Sequence, residues 1–161
     1  MLFYKILFHI NAIIKKISLK LIYGNKIVFG RKTTFRRRLN VIIAKDAKIK
    51  IGSNCFFNND CSLNALKEIE IGNDTIIGEN VKIYDHNHVF KDKNKRITEQ
   101  GFKTEKVLIG NNCWIGSNTV ILKGVTIGDN VIIAAGSVIN FNVGDNKIVK
   151  NKKCMEVEDR K

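Results

Sequence analysis

Residues 109–139 read IGNNCWIGSNTVILKGVTIGDNVIIAAGSVI. An isoleucine stands at every sixth position: Ile109, Ile115, Ile121, Ile127, Ile133 and Ile139. Four positions after each of the first five sits a small or compact residue: Cys113, Thr119, Val125, Val131 and Ser137. Gly110, Gly116 and Gly128 follow three of the isoleucines directly. A period of six suits neither an amphipathic helix, with its period of ~3.6, nor a simple strand, with its period of ~2. It marks a coiled parallel β-solenoid, in which each short strand is one face of a prism. The isoleucines fill the interior. Each glycine is expected to supply a corner conformation that a Cβ would oppose.

The pattern continues upstream in broken register. Ile71, Ile77 and Ile83 form one run, with Thr75 and Val81 at the compact position. Ile51, Phe57 and Leu63 form another, with Cys55 and Cys61, and Phe29 and Phe35 begin a weaker one. Each register shift requires a bulge or short loop at a corner. The interval from Ile83 to Ile109 is no multiple of six. Residues from about 87 to 106, mostly polar and charged, are therefore expected to leave the solenoid as an external loop. A long loop in a compact repeat usually carries function.

At 161 residues the chain reads as one domain with extensions: 1–23 a basic amphipathic helix, 24–149 the repeat, 150–161 a tail. In the first segment Leu2, Phe3, Ile6, Leu7, Ile10, Ile13, Ile14, Ile17 and Leu21 share one helical face, with Lys5, His9, Lys16 and Lys20 opposite. Lysines interrupt it too often for a membrane span. Lys15-Lys16 stands where a signal peptide would need a small-residue cleavage site. A cytoplasmic location is expected, with a peripheral place at the inner membrane face.

Residues 1–50 hold 13 Lys and Arg against one acid, Asp46, whereas residues 51–161 hold 15 against 14. Two uses follow for the N-terminus. Its apolar face can pack on the first coil as a cap, or residues 1–38 can contact anionic lipid. Arg36-Arg37-Arg38 lacks the interleaved aromatic residues of a nucleic-acid surface, so nucleic acid is not an expected partner. Cys55, Cys61 and Cys113 sit at the compact interior position and read as small buried residues. No C-x-x-C spacing points to a metal or redox site. Cys154 lies in the tail, with no assignable role.

Two of the three histidines stand together in Tyr84-Asp85-His86-Asn87-His88, where the coil ends and the loop begins. Two imidazoles beside a carboxylate on a rigid scaffold suit proton transfer, with Asp85 orienting one ring and stabilising its cation. The bland reading is a polar corner. Zinc would need a third ligand from another subunit, so no metal is expected.

These residues carry a resemblance. Val107-Leu108-Ile109-Gly110-Asn111-Asn112-Cys113-Trp114-Ile115-Gly116-Ser117 resembles the I-G-x-x-x-W-I-G segment of hexapeptide-repeat acyltransferases. Gly124-Val125-Thr126-Ile127-Gly128-Asp129-Asn130 and Ala134-Ala135-Gly136-Ser137-Val138-Ile139 continue it. Asp85-His86-Asn87-His88 is similar to the D-H-x-H of the branch that O-acetylates capsule, exopolysaccharide and O-antigen. The resemblance covers roughly residues 24–149. It implies an all-β solenoid, a left-handed parallel β-helix of hexapeptide repeats, assembled as a homotrimer with acetyl-CoA between neighbouring solenoids. It implies a glycan acceptor whose hydroxyl is deprotonated by His86, with His88 as second choice or substrate contact. By resemblance Trp114 faces acceptor or pantetheine, and Ser117, Ala135 and Gly136 run along the pantetheine arm. Asn58 aligns with an acceptor contact. Lys150, Lys152 and Lys153 can pair with the CoA phosphates.

The chain departs from the family after Ser137-Val138. Asn140-Phe141-Asn142-Val143 replaces the usual turn, and there is no proline anywhere. The alternatives are a small-molecule acetyltransferase, acting on serine, an antibiotic or a nucleotide-sugar, and a catalytically silent solenoid that binds or assembles.

Overall fold

A computed structural model describes residues 2–151, with side chains from residue 9 onward. After an N-terminal helix, Leu2–Tyr23, the chain winds through five complete three-sided coils and part of a sixth. All pairing between coils is parallel. Face A stacks Ile27–Phe29, Lys48–Ile51, Glu68–Ile71, Val107–Ile109 and Thr126–Ile127. Face B stacks Thr34–Phe35, Phe56–Phe57, Ile76–Ile77, Trp114–Ile115, Ile132–Ile133 and Ile148–Val149. Face C stacks Asn40–Ile43, Ser62–Ala65, Lys82–Tyr84, Val120–Ile121 and Val138–Ile139.

The periodic isoleucines form columns inside the prism. Ile77, Ile115 and Ile133 stack under Phe57, and all are buried. Such interior residues gain ~1.5–3 kcal/mol each from burial. Successive coils shorten along the chain. Ile27 pairs with Ile49, Ile49 with Ile69, Leu108 with Thr126, and Ile127 with Val143. Of these advances only that from Leu108 to Thr126 is a multiple of six, so the unbroken series covers only the later coils. The early coils place their extra residues at the corner between faces C and A, where Ile43 and Ala65 add one more inward side chain.

The glycines act for a different reason than the sequence suggests. Gly110 does not hold a positive φ; a Cβ there would lie 2.6 Å from the backbone of Gly128 in the next coil. The turn itself is made two residues later, by Asn54, Asp74, Asn112, Asn130 and Asn146 with φ between 52° and 58°. Asn and Asp tolerate that left-handed region better than other non-glycine residues. Their side chains also bind one another from coil to coil: Asn112 Nδ2 donates to Asn130 Oδ1 (2.9 Å), and Asn130 Nδ2 to Asn146 Oδ1 (3.0 Å).

The helix overturns a second expectation. Its isoleucine face does not pack on the first coil: Ile10, Ile13, Ile14, Ile17 and Leu21 are all exposed. Ala12, Lys16, Leu19 and Tyr23, on the opposite side, meet the solenoid. The reason is the open end of the coil, which presents unpaired carbonyls as well as apolar side chains. Lys16 Nζ donates to the carbonyl of Thr33, Lys20 Nζ to that of Ile27 (3.4 Å), and Tyr23 Oη to that of Val41 (3.2 Å). Burial lowers the pKa of Lys16. Among the described residues, no helix is long and apolar enough to cross a membrane.

The buried thiols donate to carbonyls of adjacent coils, Cys55 to Gly72 (3.0 Å), Cys61 to Gly78 and Cys113 to Gly128 (both 3.1 Å). Burial raises all three thiol pKa values, that of Cys61 to about 11. Because the thiolate is the reactive form, these three cysteines should resist maleimide at pH 8 in the native protein and react once it is unfolded, as peptide mass mapping can check. Ile115→Ala should cost about 2–5 kcal/mol, read as a fall in denaturation midpoint, because it opens a cavity between stacked isoleucines.

Candidate active site

Asp85 closes the face C strand of the third coil at the inward position that Ala65 holds one coil earlier, and it is fully buried. A carboxylate in a hydrocarbon core is costly unless it is hydrogen-bonded. Here the coil beneath supplies the donors. The amides of Leu66 and Lys67 donate to Asp85 Oδ1 and Oδ2, at 2.8 and 2.7 Å. His86 Nδ1 lies 3.1 Å from Asp85 Oδ1. In the neutral ring the carboxylate accepts from Nδ1–H, and Nε2 then keeps its lone pair.

From His86 the chain leaves the coil. His86–His88 pairs antiparallel with Phe102–Thr104, so the excursion opens as a two-stranded ribbon one residue earlier than the sequence marks. The amide of Glu105 donates to the carbonyl of Asp85 at 2.8 Å and closes the mouth of the excursion. Phe102 packs edge-on against His86 (5.4 Å between ring centroids) and tilted against His88 (4.4 Å). Tyr84 meets His86 edge-on from the coil side (6.1 Å). His86 is thus held on three sides and half-buried, whereas His88 is exposed. A groove of about 560 Å³ opens beside His88, lined by Phe90, Lys91, Phe102, Lys103 and Lys123 among others. Glu105 links two of the lining lysines, with Lys123 at 2.7 Å and Lys103 at 3.1 Å. The hydrogen bond from Lys123, then that from Lys103, holds the Glu105 carboxyl down at about 2.

The other residues singled out from the sequence lie elsewhere. Ser117, Ala135 and Gly136 stack at the corner between faces B and C, where the amide of Gly136 donates to the carbonyl of Ser117 (2.8 Å). Gly136 holds φ +73°, and only a remote side chain approaches the space a Cβ would fill. Lys150 and Asn151 continue this column, with Asn151 Nδ2 donating to the carbonyl of Ala135 (2.7 Å). Asn58 sits lower on the same edge and accepts from Arg36 Nη1 (3.3 Å). Trp114 projects from the middle of face B, 54% exposed. Lys152 and Lys153 lie outside the described residues, as does Cys154. One chain therefore holds Asp85 and His86 on one edge of face C and the Ser117–Gly136 column on the other, and it does not bring them together. Among the described residues, no three His, Cys, Asp or Glu side chains converge as a metal site.

Sequence reasoning missed four features of this region: Phe102, the Glu105 clamp, Asn151 and Asn64. The Oδ1 of Asn64 is buried without a partner on the strand beside Tyr84. No motif announces them, since each depends on which coil stacks on which.

Residues 106–140 match the model of the bacterial transferase hexapeptide (six repeats). Among curated relatives, the galactoside O-acetyltransferase of Escherichia coli K12 is 32% identical over 123 residues, covering 74% of this chain and 60% of the relative. The chain spans about half the length of the curated relatives it matches. Among solved structures, a maltose O-acetyltransferase from Clostridium difficile 630 is 31% identical with a TM-score of 0.69, covering 80% of this chain and 67% of that one. A hexapeptide-repeat acetyltransferase from Vibrio cholerae, solved with acetyl-CoA, is 28% identical with a TM-score of 0.67, covering 76% and 64%.

A carboxyl whose folded pKa is lowered adds stability above its ordinary range and loses it as pH falls through the folded value. The protection of the Phe102–Lys106 amides, taken against the unstructured-chain exchange rate at each pH, should therefore hold at pH 5 and above and fall between about pH 4 and pH 2 as the clamp protonates. Glu105→Gln should flatten that profile and speed exchange a few fold at neutral pH.

Proposed function

The chain belongs to the hexapeptide-repeat transferase family, and we propose that it transfers acetyl from acetyl-CoA to a sugar hydroxyl of a bacterial surface polysaccharide or its precursor. The observation that carries this is the Asp85–His86 pair: a buried, doubly anchored carboxylate fixing one tautomer of a half-buried imidazole at the foot of the ribbon. His86 Nε2 is the general base. It takes the proton of the acceptor hydroxyl as the oxygen attacks the thioester carbonyl carbon. The tetrahedral intermediate collapses, the carbon–sulfur bond breaks, and the imidazolium returns its proton to the departing thiolate. Asp85 stabilises the transient cation and contributes no proton. His88 contacts the acceptor from the same chain, and Asn58, on the other edge of face C, reaches it from a second copy. The glycan class rests on the D-H-x-H resemblance and on relatives that acetylate sugars.

The working site is composite. Its base and its small-residue column occupy opposite edges of face C, so a second copy must place its Ser117, Ala135 and Gly136 opposite the first copy's His86. Three copies close this arrangement as a homotrimer. Pantetheine would run along the small-residue column, where the absence of bulky side chains permits close approach, with Trp114 alongside. Lys150, Lys152 and Lys153 would meet the phosphates. The reaction belongs in the cytoplasm, where acetyl-CoA is available.

Calorimetric titration with acetyl-CoA should give saturable binding near one site per chain. His86→Ala should lower transfer by about 10²–10⁴-fold with CoA affinity and denaturation midpoint nearly unchanged, whereas His88→Ala should keep most of the rate. Full activity in His86→Ala would remove it as the base. No acetyl-CoA binding by an intact assembly would favour the silent solenoid.

A further inference from the structure

Among the described residues, the outward side of the N-terminal helix carries five exposed aliphatic residues, Ile10, Ile13, Ile14, Ile17 and Leu21, with Leu21 at 81%. They fall three or four residues apart and make one ridge along the helix. The capping contacts do not use them, because Ala12, Lys16, Leu19 and Tyr23 attach the helix from its other side. An aliphatic ridge of this size on a protein surface marks an interaction site.

The charge around the ridge says what covers it. Residues 9–38 contain nine Lys and Arg and no acid. On one flank Lys15 lies across a groove from Arg36, Arg37 and Arg38, of which Arg38 is ion-paired with Asp60 and Arg36 donates to Asn58, and on the other Lys32 adjoins His9 and Ile13. A second copy of this helix would bring the same positive rim against itself, which opposes close packing. An anionic lipid surface meets both halves of the pattern: acyl chains take the ridge, and phosphates take the rim.

We infer that the exposed ridge of the N-terminal helix docks on an anionic phospholipid bilayer, with the helix lying in the interfacial plane and the solenoid axis rising from it. The ridge enters the acyl boundary while the basic flanks stay among the headgroups. The fixed attachment of the helix sets the first coil against the lipid and the later coils away from it.

The test is co-sedimentation of the full chain with phosphatidylglycerol–phosphatidylcholine vesicles and with pure phosphatidylcholine vesicles. It needs neither acetyl donor nor acceptor, so it stands or falls apart from the catalytic reading. The wild type should pellet with the anionic vesicles, less with neutral ones, and less as salt rises. The double substitution Ile14→Glu/Ile17→Glu should weaken binding about tenfold or more. Both side chains are exposed, so its denaturation midpoint should match the wild type. Equal pelleting of wild type and variant, or no pelleting of the wild type with anionic vesicles, overturns the inference. So does ultracentrifugation without lipid in which the variant loses an assembly that the wild type forms, because the ridge then belongs to a second copy.

Discussion

Parallel coils can exchange backbone hydrogen bonds only if they lie ~4.8 Å apart, and this spacing must hold at the corners as well as along the faces. Most of the molecule answers to that requirement. At one corner it leaves no room for a Cβ, as Gly110 against Gly128 shows. It brings equivalent side chains of successive coils into contact, so asparagines at the turns bind asparagines and interior isoleucines lie on isoleucines. It also leaves carbonyls of the first coil, those of Thr33, Ile27 and Val41 among them, without a coil to pair with, and the N-terminal helix sits where its side chains reach them.

The same stacking builds the Asp85–His86 pair. Asp85 can be buried because the coil beneath turns two amides, Leu66 and Lys67, toward it. Asp85 occupies the inward position that the apolar Ala65 holds in the coil before it. The imidazole is then placed by a group that the scaffold itself immobilises. Rigid support of this kind keeps a proton acceptor in line without relying on the flexible part of the chain.

Much of this was legible in the residues, for reasons specific to each part. The solenoid showed itself where a coil is three hexads long, as from Leu108 to Thr126. It blurred where longer coils, such as those from Ile27 to Ile49 and from Ile49 to Ile69, carry extra corner residues. Asp85, His86 and His88 stood out by composition. Which ring meets the carboxylate did not, because that depends on Asp85 pointing inward while the chain turns away after it. Of the two uses read for the helix, packing its apolar stripe on the first coil is the one the structure contradicts, because that reading matched an apolar stripe with an apolar partner. The solenoid end wanted hydrogen-bond donors, and Lys16, Lys20 and Tyr23 supplied them. Phe102, Glu105 and Asn151 take their meaning from neighbours a whole coil away, or across the ribbon, and no local pattern encodes that.

The hydrogen bond that joins Asp85 to Glu105 across the mouth of the ribbon has a consequence for how such a protein can change. Because the chain departs and returns at a single corner, the coils above and below register the excursion only as one ordinary turn. Its tip can be lengthened, shortened or exchanged at a small entropic cost that grows only with the logarithm of its length. The histidine at its foot stays where the stack puts it. On the proposed mechanism, the acceptor-facing surface and the proton acceptor can thus vary independently: one scaffold that keeps its histidine in place is refitted for a new hydroxyl by editing only the segment that does not belong to the coil.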